Sequence, residues 1–120
     1  MNLKTIFYWV TTVAISLLMA FSAVTYFTNP EVVAGFQHLG FPDYFRVELG
    51  IAKILGAIVL IVPIIPSRIK EWAYAGFGIT FISAAVAHSQ SGDPIGMVIA
   101  PVVIFGILVS SYVLYQKTKV

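Results

Sequence analysis

Residues Ile6–Phe27 read IFYWVTTVAISLLMAFSAVTYF, a run without Asp, Glu, Lys or Arg. A helix needs about 20 mainly apolar residues to cross the hydrocarbon of a bilayer, so this stretch reads as a membrane span. The Met1-Asn2-Leu3-Lys4 that precedes it could open a signal peptide. However, the apolar run is longer than the roughly 7–15 residues of a signal core, and no A-x-A site closes it. The expectation is a retained span.

Three further segments follow the same logic. Tyr44–Ile65 is apolar apart from Arg46, Glu48 and Lys53, Glu71–His88 is charge-free after its first residue, and Ile95–Tyr115 carries no charge. The expected fold is therefore all-α: one membrane domain over residues 1–120, a bundle of four transmembrane helices at about 6–27, 44–65, 71–88 and 95–115. Composition agrees. Apolar residues make up 59% of the chain and charged residues 10%, against about 45–50% and about 25% in soluble domains. The lipid bilayer is thus the first expected partner. A net charge of +2 from scattered basic residues makes no nucleic-acid surface.

Lysine and arginine orient the spans. Lys4 precedes the first, Arg68 and Lys70 join the second to the third, and Lys117 and Lys119 follow the fourth. An even number of spans puts all five on one side, which predicts cytoplasmic termini. Tyr8, Trp9, Trp72, Tyr74, Tyr112 and Tyr115 fall at that same end, where amphipathic rings favour headgroup depth. Pro63 and Pro66 should stop the second helix, and Pro101 should kink the fourth.

The connection between the first two spans has helix signals of its own. Asn29 suits an N-cap, Pro30 the first helical position, Glu31 the positive end, and Gly40 the exit. Val32, Phe36 and Leu39 make a narrow apolar stripe. A short helix over about 30–39 is expected to lie in the outer interface.

Helices in lipid associate through close packing of small residues and interhelical hydrogen bonds. Thr12, Ser16, Ala20 and Ala23 supply such a face in the first span, and Gly50, Gly56 and Ala57 in the second. The third offers Ala73, Gly76, Thr80, Ser83 and Ala87, and the fourth Gly106 and Ser110.

Polar residues inside spans mark candidate sites. Lys53 lies about 13 Å along its helix from Tyr44, on the face it shares with Arg46, Gly50, Gly56 and Ala57. Three readings compete: a structural lysine held by oxygens, a lysine snorkelling outward, or a contact to a substrate or proton path. Glu48 sits about 140° round the same helix from Lys53, too far for a direct pair. An ion pair to Arg46 or another element is its plainer reading. His88 ends the third span at the depth of Arg46 and Glu48. It is either a hydrogen-bonding anchor or, with Glu48 and Lys53, part of an outward-facing polar cavity. Asp93, Glu71 and His38 are secondary candidates.

Cysteine is absent, which excludes thiol redox chemistry and Cys-based metal sites. Two histidines and a few carboxylates have no metal-ligand spacing, and no nucleotide or hydrolase motif occurs. No catalytic residue and no metal is expected from the residues.

The strings Leu39-Gly40-Phe41-Pro42-Asp43-Tyr44 and Leu49-Gly50-Ile51-Ala52-Lys53-Ile54-Leu55-Gly56-Ala57, followed by Pro63, resemble the second-helix signature of DoxX-like membrane proteins. Glu71-Trp72-Ala73-Tyr74-Ala75-Gly76-Phe77 and His88 resemble that family's third helix, and Tyr8, Trp9, Thr12 and Ser111-Tyr112 also fit. The resemblance implies a small four-helix membrane protein, mostly without assigned activity in that family. The expectation is an accessory or small-ligand-binding membrane component with no catalysis of its own. Alternatives are a membrane subunit of a quinone-linked oxidoreductase, which would bring a quinone cofactor, and a small transporter. Beyond lipid, the expected partner is a membrane protein or a second copy of the chain.

Overall fold

In a computed structural model, residues 2–118 are described. They form five α-helices and no strand: α1 (Leu3–Thr28), α2 (Pro30–His38), α3 (Asp43–Ile61), α4 (Ser67–Gln90) and α5 (Ile95–Thr118). Lys119, one of the five basic residues of the orientation argument, lies outside the described residues.

Local chemistry sets the helix ends. The Asn2 side chain accepts from the Thr5 amide at 2.9 Å and starts α1. Asn29 does the same for α2 through the Glu31 amide at 2.9 Å, with Pro30 in the first turn. Gly40, with φ +87, turns the chain out of α2 towards α3. α3 stops at Ile61 rather than at residue 65, because the residue before a proline is driven out of the helical region, and Val62 is extended. α4 begins at Ser67 rather than at residue 71. Arg68 and Lys70 limit an apolar run, but they are compatible with a first helical turn. α5 runs unbroken through Pro101.

The four long helices alternate in direction. Tyr8 of α1 packs near Tyr115 of α5 with ring centroids 5.8 Å apart. Ser67 of α4 bonds the Tyr115 hydroxyl at 2.6 Å. α3 runs against α1 so that Lys53 meets Ser22. α1 packs against α3 and α5, and α4 against α5 and α3, while α2 leans on α1 and α3. The described basic residues Lys4, Arg68, Lys70 and Lys117 thus lie at one end, and α2 at the other. The molecule is 45 Å long, comparable with a bilayer including its headgroups, about 40–45 Å.

The core departs from the small-residue expectation in α4. Thr12, Ser16 and Ala23 of α1 are buried, as are Gly50 and Ala57 of α3. In α4 the buried positions are instead Lys70, Tyr74, Phe77 and Phe81. Aromatic rings offer more contact area than a small-residue stripe, so the helix turns them inward. Ala73, Gly76 and Thr80 then line a cleft facing α3. Gly106 and Ser110 of α5 are exposed. Gly56 does serve close packing: a Cβ there would come within 2.6 Å of the Phe77 ring.

The aromatics expected at the basic end do gather there, but three of the six pack inward. Tyr8, Tyr74 and Tyr115 are core residues, 5–8% exposed. The Tyr74 and Tyr115 centroids lie 6.0 Å apart. Trp72 alone among those six is largely exposed, at 68%. Between these rings and the middle of the bundle, Ser111 bonds Thr12 and Tyr74, each at 2.7 Å.

Large aliphatic side chains cover the outside, among them Leu17, Phe21, Leu55, Ile79 and Val103, each more than half exposed. Among the described residues, α1 and α5 are long and apolar enough to cross a membrane. α3 carries Arg46, Glu48 and Lys53, and α4 is diluted by small and polar residues, so neither meets the same measure.

Candidate functional site

The polar candidates form separate groups rather than one cavity. The first joins α1 to α3 near the α2 end. The Lys53 ammonium, in a residue only 6% exposed, donates to the Ser22 hydroxyl at 3.1 Å and the Tyr26 hydroxyl at 2.5 Å. It also stands 4.4 Å from the centroid of the Tyr26 ring. Arg46, two helical turns earlier in α3, donates to the Tyr26 carbonyl in the last turn of α1. A cation there complements the negative end of the α1 dipole. Asp43, 3.8 Å from Arg46, is an exposed and weak partner. Arg46 Nε is buried, with no hydrogen-bond partner among the described residues.

Lys53 is therefore a buried cation held by uncharged oxygens. Among the described residues no carboxylate reaches it. An ammonium has three N–H donors, and two are accounted for. Lys53 also lines a cleft of about 340 Å³ between α3 and α4. Its walls are apolar, with Leu55 and Val59 facing Ile69, Trp72 and Phe77. On the α4 side the small residues Ala73, Gly76 and Thr80 lie among these larger ones. The Thr80 hydroxyl is already committed to the Gly76 carbonyl at 2.8 Å.

The second group joins α2 to the turn between α4 and α5. One oxygen of Asp93 meets His38 Nε2 at 2.8 Å and the other meets His88 Nδ1 at 2.7 Å. These hydrogen bonds, His88 first and His38 second, hold the Asp93 carboxyl below the ordinary carboxylate value. The group clasps the short helix to the bundle. Among the described residues no set of side chains is arranged to hold a metal ion.

Glu48 joins neither group. It is exposed, and no ion pair to it occurs among the described residues. The expected cavity of Glu48, Lys53 and His88 is thus not assembled: the helical offset turns Glu48 outward, and His88 is engaged by Asp93. Glu71 lies at the opposite end, accepting from Tyr112 at 3.1 Å and Gln116 at 3.0 Å. It borders an apolar groove of about 390 Å³ between α4 and α5.

Ser22 and Tyr26 are the members that sequence reasoning missed. They are spaced i, i+4 near the end of an otherwise apolar helix, at the depth of Lys53 and on one face. That pattern of two hydroxyls opposite a lone lysine was the available signal.

An all-helical chain with an aliphatic exterior and two helices long and apolar enough to cross a bilayer points to a membrane protein. More particularly, it belongs to the DoxX-like family, whose model matches residues 10–111. No curated protein and no solved structure matches it.

Proposed function

We propose that this chain is a four-span inner-membrane protein, with both termini cytoplasmic, that binds a small ligand and works as an accessory component rather than as an enzyme. The reading rests chiefly on one observation: a lysine 6% exposed, held only by neutral oxygens, on the wall of an open apolar cleft. Buried charge is costly in a low-dielectric interior, and it persists where it is used or fully paired. Here the pairing is incomplete. The site is Lys53 with Ser22 and Tyr26, steadied by Arg46. Glu48 and His88 are not part of it.

The alternating directions of α1, α3, α4 and α5, each at least 19 residues long, support four spans. At 1.5 Å per residue even α3 covers about 28 Å, close to the about 30 Å of hydrocarbon. The basic end is the cytoplasmic one by the distribution of lysine and arginine. Reporter fusions after Val120 and in the Pro94 turn test the topology, with cytoplasmic and external signals expected respectively.

The functional test is extraction of purified protein with organic solvent. Wild type and Lys53→Arg should each carry a bound amphiphile, and folded Lys53→Met should lose it. Bare wild-type protein, or an unchanged extract from folded Lys53→Met, would remove the reading. A redox-active quinone in the extract, with a co-purifying enzyme, would instead favour the oxidoreductase-subunit alternative.

A further inference from the structure

We infer that the ligand is an acyl amphiphile with an anionic oxygen headgroup, a carboxylate or phosphate, which enters sideways from the bilayer between α3 and α4. The inference deepens the reading of Lys53 as a ligand-binding residue and rests on it.

The headgroup chemistry follows from charge. The Lys53 ammonium has no carboxylate partner among the described residues, and its two acceptors are hydroxyls. An anion would convert a costly isolated charge into a charge-assisted pair. Depth fits a lipid headgroup. Ser22 and Tyr26 precede the end of α1 at Thr28 by six and two residues, about 9 and 3 Å at 1.5 Å per residue. The lysine therefore presents its charge near the boundary between headgroups and acyl chains, although its Cα lies deeper. Arg46 adds a second cation on the same flank, donating to the Tyr26 backbone.

The tail chemistry follows from the cleft. From Lys53 it descends along α3 to Val59 and along α4 to Trp72 and Ile69, towards the basic end, and its lining there is aliphatic and aromatic. The small stripe of α4 keeps it open, because the larger Tyr74 and Phe81 turn into the core and Phe77 only borders it. A polar head at Lys53 with a hydrocarbon tail below it matches both the order and the direction of these surfaces. A wholly neutral lipophile would leave the ammonium without an anion, and a free inorganic anion would leave the cleft unfilled.

Native mass spectrometry of the full chain, purified in non-ionic detergent, tests this with three probes: oleate, dioleoyl phosphatidylglycerol and oleyl alcohol. Retention of oleate or of phosphatidylglycerol on wild type is expected, and whichever is held more tightly identifies the source of the anion. Oleyl alcohol should bind at background level. Lys53→Met should weaken the anionic probe by about ten-fold or more, the scale of one hydrogen bond to a charged group, and Lys53→Arg should keep it. Gly76→Leu supplies a second test that leaves the lysine intact. Gly76 lines the cleft, and a Cβ there meets nothing within 4 Å, so the leucine fills the cleft while the fold is kept. It should also abolish retention. Oleyl alcohol held as tightly as oleate, with Lys53 required, would overturn the anionic headgroup and leave the ligand-binding reading standing. Retention unchanged in both folded variants, or no probe retained by wild type, would overturn both.

Discussion

Lys70 of α4 donates to the carbonyl oxygens of Val59 and Leu60, at 2.8 and 3.0 Å, across the turn that separates α4 from α3. Pro63 prevents α3 from continuing, so these last-turn carbonyls have lost their intrahelical donors. A buried ammonium, in a residue 2% exposed, replaces them. A residue that counts in the sequence as an orientation signal is, in the fold, the C-terminal cap of the neighbouring helix.

Lys70→Met should lower the stability of the detergent-solubilised protein by about 1–3 kcal/mol, because two buried acceptors lose a charged donor. Thermal unfolding followed by circular dichroism measures this. An unchanged midpoint would mean that water replaces the ammonium.

Asp93 joins α2 to the bundle through His38 and His88, and its lowered carboxyl fixes the sign of the pH effect. A carboxylate depressed in the folded state stabilises above its ordinary value of 3.8. That contribution fades as pH falls through the lowered folded value. Hydrogen exchange of the amides of α2, after correction for intrinsic rates, should therefore quicken as pH falls below 3.8, and should be faster in Asp93→Ala. Equal protection in the variant would show that the ring contacts of Phe36 with Tyr26 and Phe41 suffice.

Ser111→Ala should cost about 1 kcal/mol. It removes the shared partner of Thr12 and Tyr74, and interhelical hydrogen bonds in membrane proteins average about 0.6 kcal/mol with a maximum near 1.7. Steric trapping or chemical unfolding in mixed micelles would measure it. A Thr12→Val, Ser111→Ala double variant should recover part of the loss, since fewer buried oxygens remain unpaired.

Much was already determined by the one-dimensional pattern. Charge-free runs such as Ile6–Phe27 and Ile95–Tyr115 fixed helices and an apolar exterior, because hydropathy acts locally along the chain. Asn29, Pro30 and Gly40 fixed the short helix α2, because capping and backbone preferences span only a few residues. The burial of Lys53 followed from the face it shares with Gly50 and Ala57.

Tertiary structure alone decided which polar groups meet. Lys53 found Ser22 and Tyr26, Lys70 found the end of α3, and Asp93 gathered two histidines, while Glu48 remained apart. It also decided that α4 turns aromatic rings inward and leaves its small residues facing a cleft. The physical reason is common to all of these. A helical repeat states which residues share a face, but the rotation of each helix is settled by the summed contacts of all its neighbours. Hydrogen-bond partners depend on that rotation to within an ångström.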